Sequence, residues 1–156
     1  MSKDTAKDTD KPNLTASNKG SQASKSQDSV TFALAQSHFL VGDIKANAEK
    51  MRTLALQARE QGADVIIFPE LALLGYPPQD LLLRPSLSGR IKSALSTLSD
   101  IDDIVMIVGY PHVDHHGTFN SAAILHNGHQ KGFYHKQILP NYGVFDERRY
   151  FDKGRN

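Results

Sequence analysis

Cysteine is missing from all 156 residues. Its absence excludes disulfide bridges, thiolate metal sites and a thiol nucleophile supplied by these residues. A dominant charge of either sign is lacking too: 18 basic and 17 acidic residues leave a formal +1. That field is too weak to argue for nucleic acid or an anionic membrane as a partner. No run approaches the roughly 20 apolar residues of a membrane span. The opening MSKDTAKDTDKPNLTASNKG has no apolar core of the kind a signal peptide carries. The expected setting is the cytoplasm, with neither nucleic acid nor membrane as a partner.

Large apolar side chains are scarce across residues 1–29, where Ser, Lys, Asp, Thr and Gln dominate. Such a stretch cannot bury enough surface to offset the entropy of ordering, so we read it as a disordered polar tail. Residues 30–156 form the remaining unit, of a size that suits one domain at most.

Pattern begins at Val30, where VTFALAQ is short, apolar and partly β-branched, as a buried strand should be. Asp43 is a plausible N-cap for a helix on which Ile44, Ala48, Met51, Ala55 and Ala58 recur at helical spacing until Gly62 stops it. DVIIF at 64–68 reads as a second buried strand, left by a loop containing Gly75, Pro77 and Pro78. Ser86 can cap a second helix through Ile91, Ala94, Leu95 and Leu98, before a third strand at 104–109. Strands alternating with helices argue for an α/β layered sheet. Asn127-Gly128 between two strand-like runs is then a strong hairpin signal, and the second of those strands delivers Lys136 at its end.

Ligands in open α/β sheets gather beyond the C-terminal ends of strands, and Glu70 sits there, two residues after Phe68 in IIFPEL. Pro69 fixes the backbone before it, and Leu71 and Leu73 surround it with apolar side chains, so partial burial is expected; that would suit the carboxylate to general-base work. The plain alternative is a surface carboxylate on a loop. Lys136 taken by itself reads as a solvated lysine, as single lysines usually are. His112, His115 and His116 invite a metal-site reading, but PHVDHHGTFN reads better as a polar loop between a strand and the hairpin. GYPPQDLL lacks any phosphate-cradling glycine pattern.

Three stretches together resemble a known family: ALAQSHFLVGDIKANAEKM, VIIFPELALLGYPPQDLLLRPS and YHKQILPNYGVFDERRYF. A Phe-Pro-Glu after one strand and a Lys after a later one resemble the nitrilase, or carbon-nitrogen hydrolase, superfamily. Within it the resemblance is to the N-terminal glutaminase domain of glutamine-dependent NAD synthetases. It implies a four-layer αββα sandwich of which only the N-terminal portion is expected here. It also implies a Glu-Lys-Cys triad with Glu70 as general base and Lys136 stabilising the tetrahedral oxyanion. Tyr76, Tyr142 and Phe145 match aromatic walls of the family's glutamine pocket, with aromatic core filling as the plain alternative. Glu147 resembles a second glutamate that steadies the lysine.

The family's nucleophilic cysteine follows the lysine by several tens of residues, so the chain is expected to stop before it and to be inactive alone. No cofactor is expected in this segment; ATP and magnesium belong to the C-terminal synthetase domain of an oligomeric parent, which glutamine hydrolysis supplies with ammonia for NAD synthesis. Two other readings stay open: a non-catalytic binding or assembly module that has shed its nucleophile, and a fragment of another carbon-nitrogen hydrolase or an incomplete gene product.

Overall fold

Strand alternation and helical spacing produce one mixed sheet with helices on one face. The computed structural model describes residues 29–143 and 145–155, together with the backbone of Asn13–Thr15. Six strands lie side by side in chain order: β1 (Asn13–Thr15), β2 (Phe32–Gln36), β3 (Val65–Ile67), β4 (Val105–Asp114), β5 (Gly117–His126) and β6 (His129–His135). β2, β3 and β4 run parallel through the crossover helices α1 (Ile44–Glu60) and α2 (Leu87–Ser99), and β1, β5 and β6 pair antiparallel to their neighbours. β6 therefore runs in the direction of β3 and β4, and the C-terminal ends of all three reach the same edge of the sheet.

The expected tail at residues 1–29 lies outside the described residues except for Ser29 and Asn13–Thr15. Those three pair with β2 as an edge strand, where a polar tail was expected to form none. The physical reason is that ladder hydrogen bonds are made by backbone and need no apolar side chain.

Ala33, Ala35, Ile66, Met106, Val108, Ala123 and Leu125 face the helices and meet Met51, Leu54, Ala55, Ile91, Leu95 and Leu98 in one core. Asp43 caps α1 as expected, its Oδ1 accepting from the Ala46 N–H at 3.1 Å. Gly62 closes the helix at φ +82°, a left-handed conformation that favours glycine. Ser86 stands at the N-cap of α2 but makes no side-chain cap bond. Its own backbone is already helical (φ −77°, ψ −8°), unlike the extended geometry from which a cap side chain usually reaches back.

The hairpin at Asn127-Gly128 is present, with φ of 46° and 75°, the left-handed pair of a type I′ turn. The expected polar loop at 111–120 is instead a second hairpin. β4 runs on through Pro111 to Asp114, and the Asp114 carboxylate accepts from the His116 and Gly117 N–H groups at 2.8 and 3.2 Å. β2 also departs from expectation: it is buried on one face only, with Phe32 and Leu34 exposed. Among the described residues no helix is long and apolar enough to cross a membrane, and no cluster of three or more His, Cys, Asp or Glu side chains suits a metal ion.

Candidate active site

The chain leaves β3 through Pro69 and Glu70, which are exposed, into a turn that is buried. Leu71, Ala72, Leu73 and Leu74 are all buried, although each projects from irregular backbone. The Leu73 N–H donates to Gly109 of β4 at 3.0 Å, and the Gly42 N–H donates to Leu74 at 2.8 Å. Buried Asn47 on α1 donates to the Leu73 carbonyl at 3.2 Å while bonding both the N–H and the carbonyl of Leu40. Gly109 is what lets the turn lie so close: a Cβ there would collide with the Pro69 carbonyl and come within 2.6 Å of the Leu71 nitrogen. This anchored turn aims Glu70 across the sheet edge. The carboxylate is itself exposed, 45% for the side chain, where partial burial was expected. Its flanking leucines point into the core rather than around it.

Lys136 follows β6 directly. Its N–H donates to the Asn120 carbonyl at 2.8 Å, and its carbonyl accepts from the Gly154 N–H at 3.0 Å, so the backbone is held on both sides. The ammonium reaches Glu70 Oε1 at 2.6 Å and Glu147 Oε1 at 2.9 Å. Glu147 opens a short 3₁₀ turn, Glu147–Arg149, and its side chain is 6% exposed with Oε2 buried and unpartnered. Burial lowers the lysine pKa, yet the hydrogen bonds and charges of Glu70 and Glu147 outweigh it, and the net shift is upward. Lys136 is thus held as a cation between two carboxylates.

Of the sequence-expected residues, the structure brings Glu70, Lys136 and Glu147 into direct contact. Tyr76 and Phe145 line a cavity of about 410 Å³ with Glu147, Pro77, Leu82 and Tyr150. The Tyr76 pKa is raised by burial and by the negative charges of Glu147 and Glu70, so it stays a neutral hydroxyl. Tyr142 does not line that cavity; it is 71% exposed and meets Phe145 edge-on, ring centroids 5.8 Å apart. The loop carrying it turns outward through the Tyr142-to-Phe145 backbone bond.

Two contacts escaped the sequence reading. Asn120 donates to Glu70 Oε1 at 2.5 Å, and Tyr150 donates to Asp80 Oδ1 at 2.7 Å, tying the turn after Glu147 to the Gln79–Leu83 segment. The available signal for the first was Asn120-Ser121 directly before the apolar run Ala122–Leu125 of β5. The histidines that invited a metal reading do other work: His112 stacks on Phe133 and approaches His135, ring centroids 5.2 and 5.0 Å away.

Residues 31–156 match the family described as carbon-nitrogen hydrolase. The chain is 48% identical over 127 residues to the glutamine-dependent NAD(+) synthetase of Acinetobacter baylyi, a match covering 81% of this chain and 24% of that protein. It is 47% identical over 129 residues to the synthetase of the same description from Xylella fastidiosa, again covering 81% and 24%. Among solved structures it resembles the glutamine-dependent NAD+ synthetase from Acinetobacter baumannii in complex with ADP, with a TM-score of 0.78, 48% identity, and 80% of this chain and 24% of that one covered. An amidase of the nitrilase superfamily from Nesterenkonia superimposes with a TM-score of 0.71 at 25% identity, covering 80% of this chain and 48% of the amidase. The α/β arrangement is thus of nitrilase type, and the chain spans about a quarter of the length of the synthetases it matches.

Proposed function

The chain belongs to the carbon-nitrogen hydrolase family, and from that premise we propose that residues 30–156 are the base-and-oxyanion part of a glutamine amidohydrolase site in a glutamine-dependent NAD synthetase. One observation carries the reading: the Lys136 ammonium sits within 3 Å of both Glu70 and Glu147, beside a cavity walled by Tyr76 and Phe145. In this reading Glu70 takes the proton of a thiol, and the thiolate attacks the glutamine carboxamide carbon. Lys136 faces the oxygen on which negative charge develops. As that intermediate collapses, the C–N bond breaks and Glu70 returns the proton to the leaving nitrogen, so that a thioester forms and ammonia leaves. Water, giving its proton to Glu70, then attacks the thioester, and the thiol takes that proton back as glutamate is released. The raised pKa of Lys136 suits this role, because an oxyanion partner must stay charged at neutral pH.

Glutamine's side chain suits a cavity with aromatic walls and one buried acceptor, and Tyr76, Phe145 and, from the rim, Tyr142 are its proposed contacts. Ammonia passes to a synthetase domain where ATP and magnesium act, and a cytoplasmic location belongs to the same proposal. Because none of the 156 residues is a cysteine, these residues alone release no ammonia from glutamine; binding without hydrolysis is what they retain.

The test is a chimera in which these residues replace the matching segment of the Acinetobacter baylyi synthetase. Glutamine-dependent ammonia release should be restored in the chimera and absent from the 156-residue chain. Glu70→Gln and Lys136→Met should each lower kcat by about 10²-fold or more. Hydrolysis within a few-fold of the parent in both variants, with the fold intact, would sink the proposal.

A further inference from the structure

We propose that Asn120 is a positioning residue that clamps Glu70 to Lys136 and leaves Glu70 Oε2 as the oxygen that takes the proton. This rests on the reading of Glu70 as general base and Lys136 as oxyanion partner. Asn120 lies inside β5 and is 4% exposed. Its two halves serve different partners. The side-chain Nδ2 donates to Glu70 Oε1 at 2.5 Å, while the backbone carbonyl accepts the Lys136 N–H at 2.8 Å. One buried residue therefore touches both groups, which stand 66 positions apart in the chain.

The arrangement also distinguishes the two carboxylate oxygens. Oε1 receives Asn120 and the Lys136 ammonium at 2.6 Å, whereas among the described residues no donor reaches Oε2. A carboxylate with both donors on one oxygen keeps its remaining lone pairs free on the other. When the thiol S–H bond breaks and an O–H bond forms at Oε2, neither bond at Oε1 has to be given up. Residue type matters here. A neutral amide fixes the carboxylate without adding a second cation, an aspartate would repel it, and an aliphatic side chain would leave the exposed Glu70 tethered by the lysine alone.

Two measurements test this. In the 156-residue chain, the Asn120 side-chain amide protons should exchange slowly and resonate away from those of exposed asparagines, and Glu70→Ala should abolish both signatures. In the chimera, Asn120→Ala should lower kcat about 10- to 100-fold with KM changed by no more than about twofold. Asn120→Asp should lower it further, and thermal midpoints should place both variants as folded. If Glu70→Gln removes activity but Asn120→Ala keeps kcat within about threefold, the clamp is overturned while the general-base reading stands. If Glu70→Gln leaves activity intact, that reading falls and the clamp with it. Should the chimera not fold, an Asn120 amide insensitive to Glu70→Ala overturns the clamp by itself.

Discussion

The two faces of the sheet carry similar residues in different surroundings. On one, Ala33, Ile66, Met106, Val108 and Ala123 lie under the helices, all at or below 7% exposure. On the other, the register sets Leu34, Ile67, Ile107 and Ile124 side by side across four strands, with Phe32 and Leu34 about half exposed. A sheet meant for water on one side alternates polar with apolar, whereas strands covered on both sides read as continuous apolar runs. VTFALAQ and DVIIF are runs of the second kind, so the open face has the composition of an interior, as a four-layer sandwich requires. Asn120 stands at the edge of that same face. It lies on that face opposite Pro111 of β4 and is the residue that bonds Glu70.

The contrast between the faces predicts unequal costs for equal truncations. Leu54→Ala, on the helix side at 1% exposure, should lose about 2–5 kcal/mol of stability through transfer and cavity terms. Leu34→Ala, on the open side, should cost about 0.5 kcal/mol or less. Urea denaturation of the two variants decides the matter, and equal losses would mean that the open face is buried in solution. Asn47→Ala comes next, because it removes the Asn47 partner of the Leu40 N–H and the Leu73 carbonyl and leaves the Leu40 carbonyl with the longer bond from the Asp43 N–H at 3.3 Å. A loss of about 2–3 kcal/mol is expected, with faster hydrogen exchange at the Leu40 N–H as its local mark. Gly109→Ala should cost about 1–3 kcal/mol by pressing a methyl group into the Pro69–Leu71 backbone. It should also lower glutamine hydrolysis in the chimera, since the same turn carries Glu70; unchanged activity would show that the turn tolerates displacement.

These contrasts also explain what was legible in the sequence. Helix positions and the Asn127-Gly128 hairpin were readable because local chemistry dictates them: a cap at Asp43, left-handed glycines and apolar spacing on α1. The hairpin at Asp114 to Gly117 was hidden because Pro111 and three histidines look like loop residues, and Pro111 is tolerated in β4 by pairing with β5 only. Glu70 and Lys136 were visible as residues just beyond strands and the resemblance set them in one triad, but the 2.6 Å contact between them depends on β6 running parallel to β3 at the far end of the sheet. Asn120 was overlooked because a polar residue inside a strand does not announce its partner. Tyr142 was grouped with Tyr76 by resemblance, yet the loop holds it outside the cavity.

The smallest expected effect comes from a corner of the helix-side face that the helices do not fully cover. His135 stacks on Phe119 with ring centroids 4.4 Å apart, and its Nδ1 lies 2.6 Å from Ser121 Oγ. Burial lowers its pKa, the neighbouring His112 lowers it further, and Asp114 opposes them without reversing the sign. An imidazole with a lowered folded pKa favours the fold while neutral. Its contribution is fully present above the ordinary imidazole value of 6.5 and is lost as pH falls through the lower folded value, because the unfolded chain takes up the proton first. The thermal midpoint of the wild-type chain should therefore decline on acidification from about pH 7.5 to 5 more steeply than that of His135→Gln, which has nothing to titrate there. The difference between the two curves should be small and should grow steadily toward the acid end. Parallel curves would mean that the stack accommodates the charged ring, and that this corner behaves like the open face rather than the covered one.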